Sequence, residues 1–172
     1  NKVIEIQSKV PKYGDFLCWC AEQDYEEGLN YWKNLLKDYK GVADIVPVIK
    51  SDEREEQVVR KKYELTKDIS QKAVQQTAVN KTTVSCLLET ALGILLMNYN
   101  YVKDVVFGKV VSGRDADVAG TDKMVGLFIN TIPVRVMASE DSRVKDVLDY
   151  VHKQSNDSRT YDTCPLSEIQ RR

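Results

Sequence analysis

The chain of 172 residues is 42% hydrophobic and 30% charged, with a net charge of −1. That balance excludes a disordered chain, and the near-neutral charge excludes a global pull toward nucleic acid or anionic lipid. The length suffices for one ordinary domain with a real core, and the start at Asn1 rather than Met reads as a segment of something longer.

The opening NKVIEIQSKVP lacks the continuous apolar run of a secretory signal. Residues 13–20, YGDFLCWC, are aromatic-rich and predict a helix leading into the next segment. From Glu22 to Tyr39, the apolar Tyr25, Leu29, Trp32, Leu36 and Tyr39 recur at steps of three and four, which is one helix face. Acids at its start and Lys37 near its end suit the helix dipole, and Gly41 is the expected stop. The Tyr/Trp stripe reads as core packing rather than a stacking surface for a ligand.

Residues 41–57 read as a loop with Pro47 and a charge run from Ser51 to Gln57. Gln57–Leu65 alternates, with Val59, Tyr63 and Leu65 on one face, which predicts a strand with one wet face. Thr66 or Asp68 then caps a helix to about Val79, with Ile69, Ala73, Val74 and Ala78 facing inward. Thr82 caps the next helix, to about Tyr99. It is apolar nearly all round and is expected to be central and buried. Its most apolar part, Val84 to Met97, carries Glu89 and falls short of the ~20 residues a membrane span needs. The expected location is cytoplasmic, with no membrane and no nucleic acid as partner.

Val105–Val111 is a β-branched run without clean alternation, as expected of a strand buried on both faces. A loop over 112–123 follows, then a second strand, Leu127–Val136, where Pro133 requires an edge or a bend. Ser142 caps a last helix on which Val144, Val147, Leu148 and Val151 form one face and His152 lies beside it. This order of helix, strand, helix, helix, strand, strand, helix describes an α/β layered domain.

Catalytic patterns are scarce. There is no Gly-x-Ser-x-Gly elbow and no phosphate loop, and Ser112-Gly113-Arg114 is too short to cradle a phosphate alone. Four cysteines and the single His152 have neither zinc-ligand nor disulfide spacing, so no metal is expected. The unusual feature is the strand–loop–strand of 105–136. Gly113 permits a sharp turn, Arg114 is a fixed cation, and Gly126 allows close approach. Asn130 and Thr131 sit polar in an apolar strand, so they either satisfy neighbouring backbone or line a wet channel.

This stretch, VVFGKVVSGRDADVAGTDKMVGLFINTIPVRV, resembles the middle of a condensation domain of non-ribosomal peptide synthetases, nearly unbroken from Met124 to Val136. Tyr13-Gly14-Asp15-Phe16 through Trp19, with Tyr31-Trp32, resembles that family's Tyr-x-Asp-Tyr-x-x-Trp and Tyr-Trp. Cys164-Pro165-Leu166-Ser167-Glu168-Ile169-Gln170 resembles its Tyr-Pro-Leu-x-x-Ile-Gln. Some relatives begin this last motif with His-Asn-Gln-Asp, whereas this chain has Thr160-Tyr161-Asp162-Thr163.

The resemblance implies a chloramphenicol acetyltransferase-like fold of two α/β lobes. Residues 1–50 would be the end of the first lobe and an inter-lobe helix, and 51–172 part of the second lobe. It implies amide formation between aminoacyl or peptidyl thioesters carried on the phosphopantetheine of donor and acceptor carrier proteins, with no cofactor bound directly. Gly126, Asn130 and Thr131 would border the substrate tunnel, and Ser112, Gly113 and Arg114 would anchor its loop. The family's His-His-x-x-x-Asp-Gly motif does not occur in these 172 residues, so the chain supplies a tunnel wall and no catalytic residue, and is expected to be inactive alone. The rival readings are another acyltransferase of the same fold, using an alcohol acceptor and coenzyme A, and a non-catalytic carrier-docking module.

Overall fold

The computed structural model describes residues 11–41, 45 and 60–172. Along the chain run α1 (Tyr13–Glu22), α2 (Glu26–Leu36), α3 (Lys67–Val79), α4 (Val84–Asn100), β1 (Asp104–Ser112), β2 (Ile129–Met137), α5 (Val144–Ser158) and α6 (Leu166–Ile169). Short 3₁₀ turns cover Gly113–Asp115 and Arg159–Tyr161. The chain divides into two compact units, one of residues 1–38, 108–133 and 157–172, the other of 39–107 and 134–156.

The first unit holds α1 and α2. The helix expected from Glu22 to Tyr39 is interrupted, and only Glu26–Leu36 of it forms α2. Side chains explain the break. Gln23 Nε2 donates to Trp19 O at 3.0 Å and the Tyr25 hydroxyl to Cys20 O at 3.1 Å, which satisfies the last carbonyls of α1. Asp24 Oδ1 then accepts from Glu26 N–H at 2.9 Å and restarts the helix. The end comes before Gly41, with Asp38 at φ 62°, a left-handed conformation that a short polar side chain tolerates. Leu29 and the fully buried Trp32 pack with Ile132, Cys164 and Ile169, so the α2 stripe is core. A second cluster joins Phe16, Met124 and Phe128.

The second unit has its core in Cys86, Leu96, Met97, Val105, Val134, Val136, Val147, Leu148 and Val151. Thr66 caps α3 through a bond from Ile69 N–H at 3.3 Å. For α4 the cap is Thr83 rather than Thr82, accepting from Cys86 N–H at 3.2 Å. Thr82 instead places its hydroxyl 3.0 Å from His152 Nδ1, and Asn156 lies 3.1 Å from His152 Nε2, so both ring nitrogens are engaged. Ser142 binds back to Ser139 N–H at 2.8 Å, while Asp146 accepts from Arg143 N–H at 2.9 Å at the start of α5.

Several burial expectations fail. On α3, Ile69, Val74 and Ala78 are exposed, and Thr77 is the buried residue. On α4 one face is buried, but Leu88, Leu92 and Leu95 are exposed at 58%, 41% and 62%. Apolar composition states what a helix would gain by burial, and packing alone decides which face obtains it. The strand expected at 57–65 has residues 57–59 outside the described ones, and 60–65 are irregular and exposed. An alternating run needs a pairing partner, and the described residues contain one two-stranded sheet, β1 with β2.

In that sheet Ala138 N–H donates to Lys103 O at 2.9 Å and Gly113 N–H to Phe128 O at 3.0 Å. The two bonds share one register and make the strands antiparallel. Odd-numbered residues of β1 and even-numbered residues of β2 therefore turn their backbone toward each other. Val106, Pro133 and Arg135 turn theirs outward, where a proline has no N–H to waste. Val106 N–H meets the Tyr39 hydroxyl at 3.2 Å. The buried Gln154 carboxamide pairs with Arg135 like a short strand, accepting from N–H at 3.0 Å and donating to O at 2.7 Å. β1 is not buried on both faces as expected: Val105 is fully buried, but Val110 is exposed at 66%. Among the described residues no single helix is long and apolar enough to cross a membrane.

Candidate functional site

The strand–loop–strand singled out by the sequence lies, from Gly108 to Pro133, in the first unit. Ser112 is exposed at the end of β1, and Gly113 follows in the 3₁₀ turn. A Cβ on Gly113 would stand 2.3 Å from Phe128 O, so the N–H···O=C bond between these residues requires glycine. Arg114 reaches across the loop. Its Nη1 donates to Thr121 O and, at 3.1 Å, to Met124 O, and its guanidinium stands 4.2 Å over the Phe128 ring. Thr121 returns a bond to Arg114 O at 3.0 Å. This cation holds backbone carbonyls.

Gly126 has its missing side chain replaced by an aromatic ring. A Cβ there would lie 2.1 Å from Tyr13 Cδ2, and the Tyr13 hydroxyl donates to Leu127 O at 2.5 Å. Tyr13 also meets Phe128 edge-on, with centroids 5.2 Å apart.

Asn130, half-buried on β2, gives its Nδ2 to Asp162 O at 2.7 Å and Cys164 O at 2.8 Å. One carboxamide thus clamps both sides of Thr163. Thr131 is half-buried, with its methyl 3.0 Å from where a Gly108 Cβ would stand. The six sequence-selected residues are thus not brought together: Gly113, Arg114 and, through Tyr13, Gly126 gather around Phe128, Asn130 holds the 162–164 turn, Thr131 faces Gly108, and Ser112 is exposed.

Sequence reasoning missed Asp162. Its Oδ1 is the one buried side-chain polar atom without a hydrogen-bond partner among the described residues. Burial pushes the carboxyl up to about 6; Lys109 and Arg159 oppose the shift and Asp115 adds to it. Burial likewise raises Cys164, and Tyr25 goes up to about 12 for the same reason. The motif containing Asp162 was legible as a motif, but no local pattern announces that a turn residue will be desolvated. Among the described residues no group of three potential ligands could hold a metal ion. The chemistry on offer is positional: the Asn130 clamp and an unusual carboxyl.

The Condensation domain family model matches residues 1–172. Tyrocidine synthase 2 of Brevibacillus parabrevis is 35% identical over 170 residues, which is 99% of this chain and 5% of that protein. Bacitracin synthase 3 of Bacillus licheniformis is 37% identical over 163 residues, 92% of this chain and 2% of that protein. The chain thus spans a small fraction of the curated relatives it matches. Among solved structures, the first condensation domain of the calcium-dependent antibiotic synthetase, with a substrate analogue, superposes with a TM-score of 0.73. That match is 16% identical and covers 92% of this chain and 36% of that one, a likeness of fold.

Proposed function

The chain belongs to the condensation-domain family, and on that premise we propose that it serves amide-bond formation between carrier-bound thioesters in a non-ribosomal peptide synthetase. The observation that carries this reading is the family match over all 172 residues. In the reaction the acceptor's amine nitrogen attacks the donor's thioester carbonyl. A C–N bond forms, the C–S bond breaks, the phosphopantetheine thiol leaves, and the amine gives up a proton. Donor and acceptor carrier proteins are the partners.

Within that reaction the role of these residues is to shape the path. Asn130 and Thr131 border it from β2, with Gly126 beside them, and Ser112, Gly113 and Arg114 anchor the loop that precedes them. Three facts support this. Leu127 and Ile129, on either side of Phe128, are exposed at 73% and 63%, so the strand start offers a surface rather than a core. Arg114 locks the loop by its carbonyls, which gives that surface a fixed shape. The missing Cβ of Gly126 admits the Tyr13 ring and so keeps the end of the loop close to α1.

The chain contains one histidine, His152, with both nitrogens bound to neighbouring side chains, so the 172 residues alone are expected to give only background dipeptide with loaded carriers. The test uses the parent domain with loaded donor and acceptor carriers and measures dipeptide against a thermal melt. Asn130→Ala should cut turnover beyond its effect on folding. Full turnover in Asn130→Ala and Thr131→Ala would remove both residues from the path. Turnover by the isolated chain that vanishes in His152→Ala would replace the reading altogether.

A further inference from the structure

We propose that Asp162 is a positioning residue for the substrate path: its carboxyl, set behind the turn that Asn130 clamps, keeps residues 162–164 seated when protonated and loosens them when ionised. The inference rests on the reading of Asn130 and Thr131 as path-lining residues.

The geometry begins with the turn. Asn130 binds the carbonyls of Asp162 and Cys164 at 2.7 and 2.8 Å. The carbonyl just before them, Tyr161 O, accepts from Cys164 N–H at 3.1 Å and from Trp32 Nε1 at 3.4 Å. The backbone of Asp162 is therefore fixed from β2 and from α2, and its side chain must accept the space left to it. There Oδ1 is buried with no partner. A protonated carboxyl in that place leaves one weak acceptor unmet, whereas a carboxylate puts charge on a buried oxygen that has no donor.

The neighbours offer poor relief. Lys109 on β1, and Asp115 and Arg159 on the two 3₁₀ turns, are the charged groups that act on Asp162. Arg159 already faces Asp115 at 3.4 Å. From α2, Glu27 takes the Tyr161 hydroxyl at 2.7 Å, and the Cys164 thiol in the turn is buried and raised. An ionised Asp162 gains by turning Oδ1 toward water or toward Lys109 and Arg159, and such a movement pulls on the carbonyl that Asn130 holds. The carboxyl's titration at about 6 places this change near neutral pH.

The experiment uses the intact parent domain. The Asn130 side-chain amide is followed by NMR from pH 4.5 to 8, and dipeptide formation from loaded carriers is measured over the same range. The ratio of Asp162→Asn to wild-type turnover cancels the titration of the acceptor amine. Two results are expected. The Asn130 signal shifts with a midpoint near 6 in the wild type and not in Asp162→Asn. The turnover ratio rises from near one at pH 5 to about threefold at pH 7.5, because the amide side chain stands for the protonated acid. A flat Asn130 signal, or a turnover ratio that does not change with pH, overturns the inference. If Asn130→Ala impairs turnover but the ratio stays flat, only this inference falls. If Asn130→Ala leaves turnover intact, the path reading falls with it.

Discussion

The Tyr13 ring occupies the space in which a side chain at Gly126 would stand, with Cδ2 2.1 Å from the position of a Cβ. The glycine of the Gly-Leu-Phe-Ile-Asn-Thr stretch is thereby bound to the first residue of α1, which bonds Leu127 O as well.

Gly126→Val should therefore destabilise the domain by about 1–3 kcal/mol, the usual cost of forcing a side chain into a packed place. Tyr13→Ala in the same chain should recover part of that loss by emptying the space. A thermal melt of the two single variants and the double variant reads the coupling. Additive effects would mean the two residues do not compete for this volume. Turnover beside the melt separates packing from path: a Gly126→Val domain that melts lower yet works at full rate confines the residue to packing.

Asp162 should make stability fall as pH rises. Its carboxyl titrates at about 6 in the fold against an ordinary 3.8, so the folded state binds the proton more tightly than the unfolded chain. The stabilisation is complete below about 4, declines up to about 6 and is gone above that. Asp162→Asn should flatten this decline and melt higher than the wild type at pH 7. The measurement is the difference in midpoint between the two proteins from pH 4 to 8, which cancels the other carboxylates. An unchanged difference across that range refutes the shift.

The Arg135 guanidinium, 9% exposed, grips Asp104 through Nε at 2.9 Å and Nη2 at 2.5 Å, with the Tyr39 ring 5.7 Å away. Asp104→Ala would take the carboxylate away from a largely buried guanidinium and should cost about 2–3 kcal/mol, toward the low end for buried pairs because Asp104 is partly solvated. Arg135→Met should cost less, since it buries no unpaired charge. Urea melts of both decide the order, and a larger loss for Arg135→Met would contradict the argument.

The exposed face of α4 should be adhesive. Leu88, Leu92 and Leu95 project from it, and contiguous apolar surface of this kind binds other apolar surface. The isolated chain should bind a hydrophobic dye and associate as its concentration rises, and Leu88→Lys with Leu95→Lys should reduce both. Sedimentation at several concentrations gives the answer. A monodisperse chain with no dye binding would show that this face is satisfied.

The core stripe of α2 was legible from spacing alone, because Leu29 and Trp32 share a face in any helix of 3.6 residues per turn. The family was legible too, in Met124–Val136 and the two flanking motifs, since these are strings of neighbours along the chain. Two extended runs, and the need for an edge or a bend at Pro133, followed from local rules. Three other features depend on residues far apart in sequence. Composition made α4 apolar all round but did not say which side would find partners. Gly126 announced close approach but not that Tyr13 would be the group approaching. Asn130 announced a polar need, and the chain had to fold before Asp162 and Cys164 could meet it. Helix and strand patterns are written by neighbouring residues, whose geometry is set by bonded links. Burial and hydrogen-bond partnership across long loops are set by which distant segments pack together, and only the tertiary structure decides that.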